Sequence, residues 1–271
     1  MDFEDKTFVL GVGAQKAGTS WLRSYFFSRD DIYLSRTEMH FFDAKHGLDS
    51  PRRTERLLEK ASRRKKAIGQ NLNLKLEHLK LGSDCTSYKD FFRRQVPEHV
   101  NFFGEITPSY SLIGEAGYRE VREIFRNVRI IFIMRDPVER FYSHVRMNRS
   151  RRISAQSPQD DVLRRLECDS YVDRSRYQVT ISNLENVFSR NELLYLFYET
   201  LFTPQTIHNL CAFAGMEVVD AKFDEVVNSG GPRDRMPEEV DRQVRAAFDE
   251  TYKFCAHRFG DSLPRQWRLS G

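Results

Sequence analysis

A glycine-containing segment near the start of the chain has the composition of an anion-binding loop. It reads Gly13-Ala14-Gln15-Lys16-Ala17-Gly18-Thr19-Ser20 and follows the apolar run Phe8–Val12. Glycines allow the backbone to approach an anion closely, and the amide groups at the start of a helix point towards it. Thr19 and Ser20 add hydroxyl donors, and Lys16 adds a positive charge within the loop. These features predict a loop that binds a phosphate group.

The position of the lysine distinguishes this loop from that of a nucleotide kinase. A Walker loop places lysine directly after its GxxxxG frame, followed by a serine or threonine that holds Mg²⁺. Thr19 occupies that lysine position here, and Lys16 lies inside the frame. The missing lysine argues against a P-loop kinase-like phosphotransferase, which is one alternative. A glycine turn that only ends a strand is another alternative.

A second segment carries donors suited to another phosphate group. Arg135 directly follows the apolar run Val128–Met134, and Ser143 lies two turns into the helix that Asp136 can cap. Arginine supplies a forked, permanently charged set of donors, and serine supplies a hydroxyl. Together they could clamp a phosphate, although an ion pair of Arg135 with Glu139 at the helix start is the alternative.

The helix after Asp136 is predicted to have one apolar and one polar face. Its spacing turns Val138, Phe141, Tyr142 and Val145 inward. The same spacing places Glu139, Arg140, Ser143 and Arg146 on the other face.

The elements around these segments alternate between strands and helices. A buried strand at Phe8–Val12, a glycine turn and a helix over Thr19–Ser28 form the opening unit of a doubly wound fold. The run Val128–Met134 is apolar almost throughout, as a strand covered on both faces must be. Further strands are predicted at Asn101–Gly104 and Leu193–Tyr198, and further helices at Pro204–Ala214 and Pro237–His257. We therefore predict an α/β, P-loop-like three-layer fold with a central parallel sheet flanked by helices.

Length and composition limit the other possibilities. The 271 residues predict a single domain, residues 1–271, with a charged helical insertion at about residues 49–100. That insertion, which includes Arg63–Lys66, is expected to be solvated, and a basic wall facing an acidic substrate is the alternative. The net charge of +4 suits a small anionic ligand and is too small for a dedicated nucleic-acid binder, so no nucleic-acid partner is predicted.

Metal and membrane sites are not predicted either. The four cysteines are far apart without a CxxC pair, and the histidines form no HExxH motif. No apolar run approaches the roughly 18 residues of a membrane span. The acidic start lacks the pattern of a signal peptide, which predicts a cytoplasmic location. The sequence makes no prediction of oligomeric state.

Taken together, the motifs resemble those of the sulfotransferase superfamily that uses 3′-phosphoadenosine 5′-phosphosulfate (PAPS), closest to the heparan-sulfate type and its bacterial relatives. Segments at the end of the chain, Tyr198–Leu201 and Leu263–Trp267, are more weakly similar. Four segments carry the resemblance in the family's order: Gln15-Lys16-Ala17-Gly18-Thr19-Ser20-Trp21-Leu22, Glu38-Met39-His40-Phe41-Phe42-Asp43, Gly104-Glu105-Ile106-Thr107-Pro108-Ser109-Tyr110 and Arg135-Asp136-Pro137-Val138-Glu139-Arg140-Phe141-Tyr142-Ser143.

The resemblance implies an enzyme that moves a sulfuryl group from PAPS to a hydroxyl or amine, leaves adenosine 3′,5′-bisphosphate (PAP) and needs no metal. It implies that Lys16 neutralises charge on the leaving oxygen and that Arg135 and Ser143 hold the 3′-phosphate. Arg233 or Arg235 in a glycine- and arginine-rich loop would add a phosphate contact, and an ordinary surface turn is the alternative for this loop. The 5′-phosphate would be held by the amides of Ala17, Gly18 and Thr19, the hydroxyls of Thr19 and Ser20, and the backbone amide of Trp21.

The resemblance also points to the group that takes the acceptor's proton. It implies Glu38 first, with His40 two residues on and facing the same way in an extended segment, and Glu105 third. A histidine satisfied within the core is the alternative for His40. Ile106 stands where relatives carry a lysine, so a non-catalytic nucleotide-binding protein remains an alternative. The acceptor, a small molecule, a lipid or a glycan, is left open.

Overall fold

Five parallel strands form the centre of the computed structural model, which describes residues 5–48, 59, 75, 77–82, 84–150, 157–223 and 236–268. Their order in the sheet is β2-β3-β1-β4-β5, and every neighbouring pair is parallel. β1 therefore lies in the middle, between β3 and β4. The strands are β1 (Thr7–Gly13), β2 (Ile32–Leu34), β3 (Phe102–Ile106), β4 (Val128–Met134) and β5 (Leu193–Phe197).

Helices flank this sheet, as a parallel sheet with buried apolar strands requires. The helices are α1 (Thr19–Phe27), α2 (Phe41–Lys45), α3 (Cys85–Gln95), α4 (Gly114–Ile124), α5 (Pro137–Ser150), α6 (Pro158–Leu166), α7 (Asp169–Val172), α8 (Tyr177–Glu185), α9 (Pro204–Ala214), α10 (Glu238–Ala247), α11 (Asp249–Phe259) and α12 (Arg265–Arg268). Short 3₁₀ turns at Pro108–Leu112, Asp173–Ser175, Arg190–Glu192, Tyr198–Thr200 and Gly260–Ser262 join some of them. The predicted fold class is confirmed.

The boundaries of the elements agree with prediction where the apolar pattern is strong. β4 and α9 have the predicted bounds. β2 was not predicted, because three residues are too few to show a pattern. β3 continues to Ile106, past the predicted end at Gly104, because the fully buried Glu105 is hydrogen-bonded inside the protein.

The long predicted helix over Pro237–His257 is instead two helices. α10 ends at Ala247 and α11 begins at Asp249, with Phe248 between them. The Phe248 side chain is fully buried, and its ring centroid lies 5.7 Å from that of Phe141. The break allows this side chain to enter the core beneath α5.

The predicted polar face of α5 is wrong for two of its members. Arg140 is 0% exposed, and it donates from Nε to Ser175 Oγ at 2.5 Å and from Nη2 to the Tyr171 carbonyl at 2.6 Å. Ser143 is also buried. The turn formed by residues 171–175 covers this side of α5, and such coverage cannot be deduced from the helix's own sequence. The predicted inward residues, Val138, Phe141, Tyr142 and Val145, are buried.

The predicted insertion at about residues 49–100 lies largely outside the described residues, including the basic run at 63–66. Its end is not a solvated face. α3 buries Tyr88, Phe91 and Phe92 in the main core, and the Tyr88 hydroxyl contacts β3. The assignment of the chain to one domain stays a prediction. None of the described helices combines the length and the apolarity that a bilayer-spanning segment needs, and a cytoplasmic location also stays a prediction.

The contact between β1 and β3 yields a stability prediction at Gly104. A Cβ atom there would lie 1.8 Å from the Val9 carbonyl oxygen, so alanine would force the two strands apart. We expect Gly104→Ala to lower the free energy of unfolding by about 3 kcal/mol, measured by urea denaturation. Gly114→Ala is the control, because a Cβ there meets no atom within 4 Å and costs only backbone strain of about 1 kcal/mol. Equal losses in the two variants would contradict the steric explanation.

Candidate functional site

The loop after β1 and the residue after β4 meet at the carboxyl edge of the sheet. Arg135 donates from Nη1 to the carbonyl oxygen of Lys16 at 3.4 Å. Lys16 has φ 73°, and this left-handed turn belongs to the tight loop between β1 and α1. Ligands of open α/β sheets bind in the crevice at the carboxyl ends of the strands where the strand order reverses. The two predicted phosphate-binding segments are therefore adjacent.

Gly18 allows the loop to lie against the segment that follows β5. It has φ 97°, and a Cβ atom there would lie 2.5 Å from Leu201 Cδ2 and 3.3 Å from Tyr198 Cδ2. The guanidinium of Arg135 lies over the Tyr198 ring, 4.5 Å from its centroid. Tyr198 thus joins the loop to Arg135, a role that the sequence indicated only through the weak similarity of Tyr198–Leu201.

The start of α1 offers backbone amides to an anion. The amide of Ala17 donates to the Ala14 carbonyl at 3.2 Å, and that of Trp21 donates to the Gly18 carbonyl at 3.0 Å. The amides of Gly18 and Thr19 lie at the helix start, where an α-helix supplies no acceptor of its own. Among the predicted amides, Gly18 and Thr19 are thus the better placed donors. The Trp21 ring is buried, as predicted, and donates to the Lys222 carbonyl at 3.1 Å.

Tyr177 and Glu199 fix the backbone around Arg135 by hydrogen bonds. The Tyr177 hydroxyl donates to the Arg135 carbonyl at 2.7 Å, and Asp136 N donates to Glu199 Oε1 at 2.8 Å. Asp136 caps α5 as predicted, since it accepts from Glu139 N at 3.0 Å. The alternative ion pair of Arg135 with Glu139 is also present, at 3.6 Å. Arg135 is therefore held in place at the loop while its side chain stays 17% exposed.

Ser143 and Ser20, two other predicted phosphate donors, lie in different surroundings. Ser143 lies on α5 and is buried, two turns after Arg135. Ser20 is exposed at the start of α1, next to the buried Thr19. Arg233 and Arg235 lie outside the described residues.

Positive charge surrounds the loop. Burial, followed by the charges of Arg140, Arg174 and Lys16, lowers the pKa of His144 to about 2, so this buried imidazole is neutral at physiological pH. Its ring stacks on Tyr171 with the centroids 4.1 Å apart. A cationic environment of this kind favours an anionic ligand.

Glu38, His40 and Asp43 form a hydrogen-bonded chain. His40 Nε2 lies 3.0 Å from Glu38 Oε2, and His40 Nδ1 lies 2.7 Å from Asp43 Oδ2. Ser109 Oγ donates to Asp43 Oδ2 at 2.5 Å. Ionised carboxylates only accept hydrogen bonds, so the ring satisfies both when each nitrogen carries a proton. His40 is therefore more than a core histidine, because it connects the partly exposed carboxylate of Glu38 with the buried carboxylate of Asp43.

The segment carrying Glu38 and His40 is held by the amides of the residues between and after them. Met39 N donates to Glu105 Oε2 at 3.2 Å and to Thr107 Oγ1 at 3.1 Å. Phe41 N donates to the Tyr110 hydroxyl at 2.9 Å. The Met39 and Phe41 side chains are buried, whereas those of Glu38 and His40 are partly exposed. The predicted common direction of the last two is thus realised.

Glu105 is enclosed within the protein. It is 0% exposed, and it accepts from the hydroxyls of Tyr88 at 2.5 Å, Thr107 at 2.6 Å and Tyr110 at 3.0 Å, besides Met39 N. Burial raises its pKa although these donors act in the opposite direction. Of the predicted proton acceptors, Glu105 therefore has the geometry of a support for the Glu38 segment, and Glu38 is the accessible carboxylate.

Cations lower the pKa of Glu38. Its side chain is 45% exposed. Partial burial pushes the pKa upward, but the hydrogen bond to His40 and the charges of His40, Arg23 and Lys75 outweigh it. Arg174, on the turn before α8, also lies within electrostatic reach of Asp43 and Glu38. Glu38 is thus kept ionised. Nothing in the sequence indicated Arg23 and Arg174, because neither residue belongs to a motif.

Among the described residues, no group of three or more histidine, cysteine, aspartate or glutamate side chains could hold a metal ion.

A glycine-containing loop after the central strand of a parallel sheet, with the hydrogen-bonded chain of Glu38, His40 and Asp43, is the arrangement of an α/β enzyme whose site lies at the carboxyl ends of its strands. The chain belongs to the sulfotransferase family, because the model of that family ("Sulfotransferase family") matches residues 9–220. This confirms the resemblance to PAPS-dependent sulfotransferases and assigns the chain to the enzymes. No curated protein matches the chain significantly.

Solved structures of sulfotransferases share the fold. The sulfotransferase from Alicyclobacillus acidocaldarius is 19% identical with a TM-score of 0.67, over 97% of this chain and 99% of that one. The sulfotransferase domain of the Synechococcus olefin synthase is 15% identical with a TM-score of 0.53, over 90% and 88%. A mouse sulfotransferase complexed with PAP is 14% identical with a TM-score of 0.55, over 99% and 90%.

Proposed function

We propose that this enzyme transfers the sulfuryl group of PAPS to a hydroxyl or amine of a glycan, a lipid or a small molecule. One observation carries the proposal: Arg135 reaches the Lys16 carbonyl, which brings two phosphate-binding segments together at the centre of the sheet. A donor with phosphate groups at both the 5′ and the 3′ position of one ribose needs two such anion sites. The mouse neighbour solved with PAP supports this choice of donor.

The residues of the crevice fit such a donor. Gly18 and Thr19 offer amides at the start of α1, and a side chain at position 18 would collide with Leu201. Arg135 supplies a guanidinium for the 3′-phosphate, with Ser143 as its predicted partner. Lys16 supplies the cation for the oxygen that bridges the 5′-phosphate and the sulfuryl group. A Walker lysine for ATP is lacking, which disfavours the kinase alternative.

Catalysis then consists of positioning, proton transfer and charge stabilisation. Glu38 accepts the proton of the acceptor hydroxyl while the oxygen of that hydroxyl forms a bond to sulfur. The bond from sulfur to the bridging oxygen breaks, and Lys16 stabilises the charge that this oxygen gains. His40 and Asp43 hold the carboxylate of Glu38 towards the acceptor. The in-line geometry resembles phosphoryl transfer, in which placement of the reactants supplies much of the rate.

PAP should bind more tightly than adenosine 5′-phosphate, which differs from it only by lacking the 3′-phosphate. We expect Arg135→Gln to remove most of this preference and to weaken PAP binding about 10- to 100-fold, as the loss of a charge-assisted contact predicts. Titration calorimetry without Mg²⁺ measures both ligands. Arg119→Gln, an exposed arginine on α4 that pairs with Glu115, is the control.

The outcome that contradicts the donor assignment is equal affinity for the two nucleotides, or a preference that survives in Arg135→Gln. A stronger response to ATP with Mg²⁺ than to PAP would favour the kinase alternative. Transfer of ³⁵S from labelled PAPS to a panel of phenols, sugars and hydroxylated lipids then identifies the acceptor class.

A further inference from the structure

An arginine outside every predicted motif reaches the end of β3. Arg23 lies on α1, and its Nη2 donates to the carbonyl oxygen of Ile106, the last residue of β3. The side chain therefore crosses from the phosphate-loop helix to the carboxyl edge of the sheet. The next residue, Thr107, carries the hydroxyl that helps to hold the Glu38 segment.

Ile106 itself brings no charge to this place. Its side chain is 0% exposed and packs against β1, where a Cβ atom at Gly11 would lie 2.8 Å from Ile106 Cγ1. The carbonyl oxygen at the end of β3 accepts from Arg23, so the positive charge at this point comes from Arg23.

Two carboxylates lie within electrostatic reach of Arg23. Burial lowers the pKa of Arg23, and the charges of Glu38 and then Glu105 oppose this effect. Glu105 is enclosed by its donors, whereas Glu38 is partly exposed and faces the crevice. A guanidinium does not lose its proton in a protein, so it acts on Glu38 as a fixed positive charge.

Other charged groups also face Glu38. His40 is hydrogen-bonded to it at 3.0 Å, Lys75 and Arg174 are within electrostatic reach, and Asp43 acts through His40. Arg23 differs from them in its anchor. Arg174 donates to the carbonyl of Ser170, and the carboxylate charge that acts on it most strongly is that of Asp43. Arg23 is fixed to the sheet edge, and the carboxylate charge that acts on it most strongly is that of Glu38.

We propose that Arg23 is a positioning residue of the reaction. Its guanidinium, anchored to the Ile106 carbonyl next to the residue that holds the Glu38 segment, sets a fixed positive charge beside the carboxylate that accepts the proton of the sulfuryl acceptor. This inference rests on the proposed function, because it assigns Arg23 a role through Glu38. It gives the crevice one fixed cation on the acceptor side, apart from those on the nucleotide side.

The direct test is a titration of the Glu38 carboxyl by ¹³C NMR, assigned by its disappearance in Glu38→Gln. We expect Arg23→Gln to move the midpoint to higher pH by about one unit, a tenfold change in the protonation equilibrium. Arg23→Lys keeps the charge and should move it less. Arg119→Gln, at the exposed pair on α4, should leave it unchanged. An unchanged midpoint in Arg23→Gln overturns the proposal.

Kinetics supply a readout that a merely structural role would not produce. With the best acceptor of the labelled-donor panel, Arg23→Gln should shift the acid limb of kcat/KM to higher pH while PAP affinity stays unchanged. In a Glu38→Gln background the same substitution should have little further effect on kcat. A full additional loss in that background, or a loss of PAP affinity that matches the loss of rate, contradicts the assignment.

Two further comparisons keep the test decisive. If Arg23→Gln does not fold, the same titration and cycle are made with Arg23→Met, which also removes the charge, and an unchanged midpoint or a full additional loss overturns the proposal. Failure of the proposed function is recognised separately, because the unaltered protein would then bind PAP no better than adenosine 5′-phosphate while the effect of Arg23 on the Glu38 midpoint could still be measured.

Discussion

Glu38→Gln is expected to lower kcat by about 10²- to 10⁴-fold, the usual contribution of a positioned general base, while PAP still binds. Glutamine has the size of glutamate, and its amide oxygen can accept from His40 as the carboxylate does. The substitution therefore removes the ability to take a proton and preserves the arrangement of the segment. Rates of ³⁵S transfer and PAP affinities by calorimetry measure the two effects separately.

If Glu38 is the general base, the transfer rate of the unaltered enzyme should depend on pH through the pKa of Glu38. The hydrogen bond from His40 and the nearby cations hold the pKa of Glu38 below its ordinary value despite partial burial. The rate should accordingly stay high across neutral pH and fall only when the pH drops through this lowered pKa, where the carboxylate becomes protonated. Glu38→Gln should lack this acid limb.

A suitable control is Glu115→Gln, because Glu115 is an exposed carboxylate on α4 that pairs with Arg119. It should turn over at the normal rate. Near-normal turnover in Glu38→Gln would show that another group takes the proton, and His40 would then be the next residue to substitute.

Lys16→Ala is expected to lower kcat by about 10²- to 10³-fold, the range observed when one preorganised stabiliser of transition-state charge is removed. Lys16 lies in the loop between β1 and α1, and its carbonyl is bound by Arg135. This backbone contact does not depend on the lysine side chain, so the loop and the 3′-phosphate site should survive the substitution. Affinity for the intact donor PAPS, measured without acceptor, should fall much less than kcat, because the bridging oxygen gains its charge only as its bond to sulfur breaks.

Lys16→Arg tests geometry against charge, since it retains the charge but places it on a larger planar group, and it should restore only part of the rate. Lys253→Ala is the control, because Lys253 is an exposed lysine on α11 that pairs with Asp249. Equal losses of kcat and of PAPS affinity in Lys16→Ala would instead make Lys16 a ground-state binding residue.

The sequence predicted the parts of this enzyme whose cause is local. A strand covered on both faces must be apolar throughout, so β4 was predicted with its observed bounds. An anion loop needs glycines and a helix start, so the loop at Lys16 was recognisable, and Asp136 was recognisable as a cap. The family was evident from four motifs in order and is confirmed by the match over residues 9–220.

The tertiary structure decided which of these residues meet and what each is able to do. Parallel pairing of β1 with β4 puts Arg135 beside Lys16, although more than a hundred positions separate them in the chain. Glu105 is enclosed by Tyr88, Tyr110 and Met39, which come from separate parts of the chain. The contact of Arg23 with Ile106 likewise joins two separate elements, α1 and β3. Burial and long-range charge are sums over neighbours that are distant in sequence, so no local pattern encodes them. These two properties distinguish the buried Glu105 from the partly exposed Glu38.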